Sequence, residues 1–501
     1  MDGRLVFALL SVCFATFLYR WRRTSCRWPR PPGPPGLPLI GNILPKQYPW
    51  EAIRRWGHTY GPLIRMSVLG TPALVVNSYE AAAELFEKRS SIYSQRHPME
   101  MILLCGMDGG VLFETNPVKL RQARRLVATG VSSRELDIYR PQLRTHIAKM
   151  LEKFLHTPDK FLDHIQHLPG EIMLDIAYGY TSTGFNDPFI KEAETWIRNF
   201  AIAGSVTEYL VNWLPILSYV PQWLPGGAFK RTAALWNKQA VDFGESAFQF
   251  VVKAMTDGVS RPSVVSKAIN SQDPYDRHVI VKSATQMVTG GADTSVSVIE
   301  TFMLAMLLNP EVQRRAQDEI DRVVGADRLP TYSDRESLPF VEAVMREVMR
   351  WRPPVPMVPR HPTQDDVYNG YFIPKDTIVY INFWAMLHDE EKFPDHDKFD
   401  PDRWIGGGVT KDIDPFGIVF GFGRRECPGK LLAVELVFTT LANILAVFDI
   451  TKARSTDGQL MTPAVAYSSG GISAPLPFKC NIKPRTERAL KLLQETLACE
   501  S

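Results

Sequence analysis

The run Phe420-Gly421-Phe422-Gly423-Arg424-Arg425-Glu426-Cys427-Pro428-Gly429 gathers one thiol, two guanidinium groups and three glycines within ten residues. A helical pattern begins near Gly429, so Cys427 lies at a helix N-terminus. The backbone N–H groups and the helix dipole there favour a thiolate. Gly421, Gly423 and Gly429 let the backbone run close to something flat and bulky. Arg424 and Arg425 suit anionic groups on such a partner. The sulfur is then either a soft metal ligand or a nucleophile. A nucleophile needs a partnered base, and no histidine follows Cys427.

Four further elements carry chemistry. Gly290-Gly291-Ala292-Asp293-Thr294-Ser295 lies inside a long helical pattern. Its paired glycines predict a bulge or widened turn. Asp293 and Thr294 offer an acid and a hydroxyl that can relay protons, unless Thr294 bonds back to its own helix. Glu347 and Arg350 share one helix face at i, i+3. Pro401-Asp402-Arg403-Trp404 supplies another cation, Arg124 lies in the basic run Lys119 to Arg125, and Arg360 stands in Pro359-Arg360-His361 ahead of a strand-like run. His164 and His167 have metal-ligand spacing but no third ligand nearby in sequence.

Phe420, Gly423, Arg425, Cys427 and Gly429 fill the five fixed places of FxxGxRxCxG, so the decapeptide resembles the haem-binding signature of the cytochrome P-450 family. Glu347-Val348-Met349-Arg350 resembles the family's ExxR element, and Gly290 to Ser295 its oxygen-activation motif. The resemblance implies haem b with Cys427 as the axial thiolate on iron. A thiolate axial ligand favours O–O cleavage. It implies Asp293 and Thr294 as proton relay, and Arg124, Arg360 and Arg425 as propionate anchors. Glu347, Arg350 and Arg403 become a buried charged triad around the haem pocket. Phe420, Gly423 and Gly429 complete the cofactor contacts. One signature departs: Leu120 stands where a WxxxR pair ending at Arg124 would have tryptophan.

The elements that must position these residues read as mainly helical with small β-sheets. Leu63 to Val76 reads as β, and Thr377 to Asn382 as a short strand. Glu80–Glu87, Leu120–Ala128, Leu143–Leu155, Leu235–Met255, His278–Leu308 and Leu338–Trp351 have helical apolar spacing. Asn309 is expected to cap the helix that Pro310 opens and Gly325 ends. A final helix starts near Gly429. Regular βαβ alternation is lacking. The expected organisation is an anchor over 1–28, a Pro-rich hinge over 29–42 and one haem-thiolate domain over 43–501.

The anchor reading rests on an uncharged run, Leu5 to Tyr19, followed by Arg20, Trp21, Arg22 and Arg23. Snorkelling cations extend such a run across a thin bilayer. Positive charge on the C-terminal side leaves the catalytic domain cytosolic. With the resemblance, this implies a single-pass endoplasmic reticulum membrane protein. A 501-residue chain with 45% hydrophobic and 22% charged residues excludes wholesale disorder and a multi-spanning protein. Lys plus Arg is 57 against 54 acidic residues, a balance of +3 that gives no reason to expect nucleic acid. The six cysteines contain no CxxC pair.

Gln286, Thr289 and Gly290 fall on the helix face of Thr294 and are the expected substrate contacts. Pro353 to Val358, Ser468 to Ser473 and the Met- and Leu-rich Met99 to Thr115 are expected to add apolar walls. Trp213, Leu214, Trp223 and Leu224 are candidates for membrane contact. A lipophilic small molecule follows, of terpenoid, polyketide or other secondary-metabolite type. The resemblance implies O2 as co-substrate and a separate NADPH-cytochrome reductase as electron donor. Lys119, Arg121, Arg125, Arg424 and Lys430 are its expected docking patch. A haem-thiolate isomerase, dehydratase or peroxide-using enzyme is the alternative reading, and a haem sensor a third.

Overall fold

A computed structural model describes residues 28–38, 40–184, 186–205, 208–406, 413–455 and 457–500. The anchor expected over 1–28 lies outside them, apart from Trp28. Helices dominate: α1 Pro49–Tyr60, α2 Pro117–Val131, α3 Ser133–His156, α4 Phe161–Tyr178, α5 Pro188–Ala203, α6 Phe229–Thr256, α7 Arg277–Leu308, α8 Pro310–Val323, α9 Pro339–Trp351, α10 Lys430–Val447 and α11 Glu487–Glu500. The main sheet holds β1 Leu63–Val68, β2 Thr71–Val76, β3 Met357–Arg360 and β6 Ile378–Asn382, in the order β1-β2-β6-β3. Two ribbons complete the strands: β4 Asp366–Tyr368 with β5 Tyr371–Ile373, and β7 Phe448–Lys452 with β8 Cys480–Pro484.

The fold class is therefore the expected one. β1 and β2 form a tight hairpin with Val68 opposite Thr71, and Leu69 and Gly70 take φ of +49° and +78° at its turn. Such positive-φ turns match the twist of the strands they join. α7 runs through the centre and lies along α4. Both are buried over most of their circumference, and with α3, α9 and α10 they form the largest apolar core. α7 and α10 are long and apolar enough to cross a membrane, but most of each is buried inside the protein. That is the property of core helices.

Several expectations change. The chain does not end its helices with α10: α11 follows β8. Asn309 precedes Pro310, but its side chain makes no N-cap and instead donates to the Ala305 carbonyl at 2.8 Å. The amide thus closes α7 rather than opening α8. α7 is continuously α-helical through Gly290 and Gly291, without the expected bulge. Neighbouring packing supports the helix where propensity is poor.

The Pro-rich segment is strapped to the body rather than free. Arg65 N–H donates to the Pro32 carbonyl at 2.8 Å, and Phe372 N–H to Pro29 at 2.8 Å. A Cβ on Gly33 would lie 1.8 Å from the Arg65 oxygen, so glycine is required there. Extended proline-rich backbone leaves its carbonyls unpaired, and strand N–H groups use them.

Candidate functional site

The site is a cavity of about 460 Å³ in the middle of the molecule. α10 and the loop before it form one side. Cys427 lies deep beneath the outer surface yet opens onto the cavity. Its own N–H donates to the Phe420 carbonyl at 2.7 Å, which closes the loop. Burial pushes the thiol up, while the Gly429 N–H and the charges of Arg124 and Lys430 pull it down. The sequence argument for a thiolate thus holds only in part: the helix end helps, and burial wins. A metal cation at the sulfur would reverse that balance, since coordination deprotonates a thiol outright.

The glycines of the loop do different things. Phe420, Gly421, Arg425 and Gly429 border the cavity. Gly423 does not. Its φ is +57°, and a Cβ there would lie 2.2 Å from the Phe86 carbonyl oxygen. It serves the close approach of the loop to the π-helical turn Ala83–Lys88, not contact with a ligand.

Arg96, Arg124, Arg360 and Arg425 converge on the cavity wall. Arg360 sits at the end of β3, paired to Val379 of β6, and Arg124 on α2. Arg425 donates to the carbonyls of Ser94 at 2.8 Å and Val111 at 3.1 Å, and also to Glu114. Arg124 donates to the Glu426 carbonyl at 2.9 Å. Burial and mutual repulsion push Arg96 down to about 9 and Arg425 to about 10, and Arg360 well below its usual value. Nε of Arg96 is buried without a partner. Four guanidinium groups gathered in this way call for anions in the cavity. Sequence spacing gave no signal for Arg96, because neither helix period nor motif marks it.

Across the cavity stands α7. Thr289, Gly290, Gly291 and Thr294 line it. The Thr294 hydroxyl donates to the Gly290 carbonyl at 2.8 Å, so it does bond back to its helix. Its oxygen lone pairs remain available to the cavity. Asp293 does not line the wall; burial raises its carboxyl. Gln286 borders the cavity, but its amide is engaged. It donates to the Gly109 carbonyl at 2.9 Å and accepts from Leu112 N–H at 2.9 Å. Gln286 is thus a clamp on the loop before α2 rather than an unencumbered substrate contact.

Glu347, Arg350 and Arg403 come together as expected, but away from the cavity, so they are not cofactor contacts. Glu347 and Arg350 are fully buried and joined by two bonds of 2.8 and 2.9 Å. Arg403 Nε stands 3.5 Å from Glu347. Trp404 Nε1 and the Asp400 N–H also donate to that carboxylate, at 3.0 and 2.9 Å. Arg350 donates to the Leu387 and Lys398 carbonyls. The group braces α9 against the segment before α10. Removing one member would strand a buried charge.

The remaining walls are apolar. Pro354 to Val358 and Ser469 to Ile472 contribute as expected, as do Met99 and Val111 to Phe113. Sequence reading missed Trp196, Ile197 and Phe200 of α5 and Met173 of α4. Trp196 and Phe200 stack at 5.0 Å and 11°. Their i, i+4 spacing was the available signal. Leu120 does not reach the cavity, whereas Arg124 does. Trp213 is buried against the sheet, but Trp223 is 77% exposed. In the basic patch, Lys119, Arg125 and Lys430 pair with Asp276, Asp273 and Glu426, while Arg121 and Arg424 are exposed.

A thiol at the wall, clustered cations and apolar surface from α7 and α10 fit a metal macrocycle with anionic arms. The comparisons with known proteins agree. The family model described as Cytochrome P450 matches residues 31–474. Cytochrome P450 monooxygenase 208 of Postia placenta is 37% identical over 493 residues, covering 97% of this chain and 96% of the relative. Cytochrome P450 monooxygenase claR of Ampulloclitocybe clavipes is 38% identical over 472 residues, 93% of this chain and 88% of the relative. Tryptamine 4-monooxygenase of Psilocybe cyanescens is 34% identical over 504 residues, 97% and 99%. With a match of that extent around a cavity of that chemistry, the chain belongs to the cytochrome P450 family and is a haem-thiolate monooxygenase.

Proposed function

We propose that Cys427 is the axial ligand and that the protein hydroxylates a neutral lipophilic small molecule of secondary-metabolite type. The observation that carries this reading is the composition of the cavity wall between Cys427 and Thr294. Among the described residues, Glu426 is the sole acidic one on that wall, and it is paired with Lys430 at 2.9 Å. Among them no carboxylate is left to hold an ammonium group. Trp196, Phe200, Phe113, Val298 and Met357 instead offer apolar surface.

Bound haem supplies the activation of O2 and insertion of one oxygen atom into a C–H bond. The chain's own residues do the rest. Arg96, Arg124, Arg360 and Arg425 hold the propionates. The Gly429 N–H hydrogen-bonds the sulfur and tempers its donor strength. Gly290 leaves open space beside α7, since a Cβ there would meet nothing within 4 Å. The Thr294 hydroxyl, its own proton given to the Gly290 carbonyl, offers its oxygen at that opening as the acceptor that would hold a proton-donating water. Asp293, its carboxyl raised by burial, stores the proton that replaces it. The apolar walls exclude bulk water and orient the substrate.

Electrons come from a separate NADPH-dependent flavoprotein reductase, for which Arg121 and Arg424 are the exposed cations of the patch. Membrane attachment through the amino end places the protein on the endoplasmic reticulum, with the catalytic domain in the cytosol. An exposed apolar surface supports this. Ile216 and Trp223 are 73% and 77% exposed. Their loop is tied to the β1–β2 turn by the Thr71 hydroxyl, which donates to the Trp213 carbonyl at 3.0 Å. The exposed Ile40 and Ile43 adjoin the same turn, with Leu69 N–H donating to Ile40 at 2.7 Å.

Reduced protein with CO should give the red-shifted Soret band of thiolate ligation. Cys427→Ala should abolish it, and persistence of the band would place the ligand elsewhere. Oxidation of lipophilic metabolites should require NADPH and reductase, and Thr294→Ala should lower product formed per NADPH consumed.

A further inference from the structure

We propose that His388, His396 and Asp397 form a binding site for one zinc ion, apart from the central cavity. One ligand atom from each lies within 4.8 Å of the other two. Among the described residues it is the one such cluster with metal-ligand chemistry. His388 follows the short helix Phe383–Leu387, and the other two lie in the segment that leads to Pro401.

His388 is preset as a ligand. Its side chain is fully buried and stacks on Trp384 at 3.9 Å and 10°. Nδ1 lies 2.9 Å from the Trp384 carbonyl, an acceptor that obliges it to carry the proton. Nε2 then bears the lone pair. That nitrogen is buried and has no hydrogen-bond partner. An orphaned buried acceptor is costly unless something binds it. A carbonyl on the far nitrogen is also the usual way in which a metal-bound imidazole is oriented.

His396 supplies the second imidazole. Its Nδ1 is buried, has no hydrogen bond and stands 3.4 Å from the Asp397 carboxylate. Its Nε2 stands 3.6 Å from Glu390. Asp397 is the third ligand, and Glu390 or water completes four. Ligand atoms around tetrahedral zinc are about 3.4 Å apart, given bonds of about 2.0–2.2 Å. The site must therefore contract on binding. Asp397 can supply that movement, because its side chain is 80% exposed. Two imidazoles and one carboxylate select a borderline-soft ion; calcium and magnesium need oxygen ligands.

The site has a structural consequence. The carbonyls of Asp395, Asp397 and Lys398 accept from Arg403, Trp351 and Arg350 at 2.9, 2.9 and 3.2 Å. A zinc ion would fasten the segment that holds the buried Glu347 triad.

The test uses full-length, haem-loaded protein stripped with a chelator and titrated with zinc chloride by calorimetry, with metal content measured after desalting. One zinc per chain is expected, with magnesium and calcium failing to compete. His396→Ala and Asp397→Asn should each weaken binding at least about 10-fold. Zinc should raise the melting temperature of the unaltered protein and not of His396→Ala. The exposed His156→Ala is the control and should bind as the parent does. These variants leave buried His388 in place, so misfolding does not confuse the result. Failure to retain zinc, equal binding by His396→Ala, equal loss in His156→Ala or competition by magnesium would each overturn the proposal.

Discussion

Arg96 is buried beside Arg360 and Arg425, with Nε unpartnered and its pKa pushed down to about 9. Binding of an anion relieves that repulsion, so the residue works against the empty fold and for the loaded one. Arg96→Gln should speed haem loss to an acceptor protein roughly 10-fold, the equivalent of a charge-assisted hydrogen bond of about 1.5 kcal/mol. The same change should raise the melting temperature of haem-free protein. A fall in both would refute the role. Glu300 is the second residue to test. It lies two turns beyond Asp293, and burial plus the Asp293 charge raises it from 4.5 to about 8. An acid raised by folding adds stability below its unfolded value and loses it as pH climbs through its folded one. The native state should therefore weaken between about pH 4.5 and 8. Glu300→Gln should melt higher than the parent above pH 8 and converge with it below pH 5, by calorimetry across that range. Both residues were illegible in sequence. Nothing in a motif marks Arg96, and the protonation of Glu300 depends on what surrounds α7.

At the scale of elements, α7 carries two adjacent glycines with opposite packing. A Cβ on Gly290 meets open space, whereas on Gly291 it would lie 2.6 Å from the Met173 sulfur of α4. Gly290→Ala should stabilise the helix by about 1 kcal/mol, while Gly291→Ala should destabilise the protein by about 1–3 kcal/mol through overpacking. Thermal melts of the two variants should move in opposite directions. Gly290→Ala should also narrow the cavity and weaken the substrate-induced spin shift. The sequence made this helix legible through its length and period, and it made α2, α3, α6 and α9 legible for the same reason. α4 escaped notice because it is buried nearly all round and takes His164, His167, Glu171 and Asp175 inside with its apolar residues, so its polar positions do not mark a solvent face. α5 escaped although Asp187 caps it, accepting from Phe189 and Ile190 N–H, and Pro188 opens it. The local start signal was there. What sequence did not reveal was that its Trp196 face turns into the cavity, which depends on how α5 lies against α7.

For the whole molecule, motif order located residues that border the cavity, from Arg124 to Gly429, but surfaces depend on segments that sequence leaves far apart. Residues 40–43 and 210–224 meet at one end of the sheet because both hydrogen-bond around the β1–β2 turn. The Pro-rich strap runs from that place back to the amino end. The proposed membrane contact is therefore one apolar surface built from two segments. Ile216, Tyr219 and Trp223 are 73%, 84% and 77% exposed there. Burial of one such side chain in the interface contributes about 1.5–3 kcal/mol, a factor of roughly 10 or more in partitioning. In protein beginning at residue 29, Ile216→Ser with Trp223→Ser should reduce binding to neutral phosphatidylcholine vesicles at least about 10-fold. Leu235→Ser, at an exposed apolar position on α6, should not. Sedimentation of vesicles with bound protein reads both. Equal loss in the two would mean that exposure alone, and not this surface, sets the affinity.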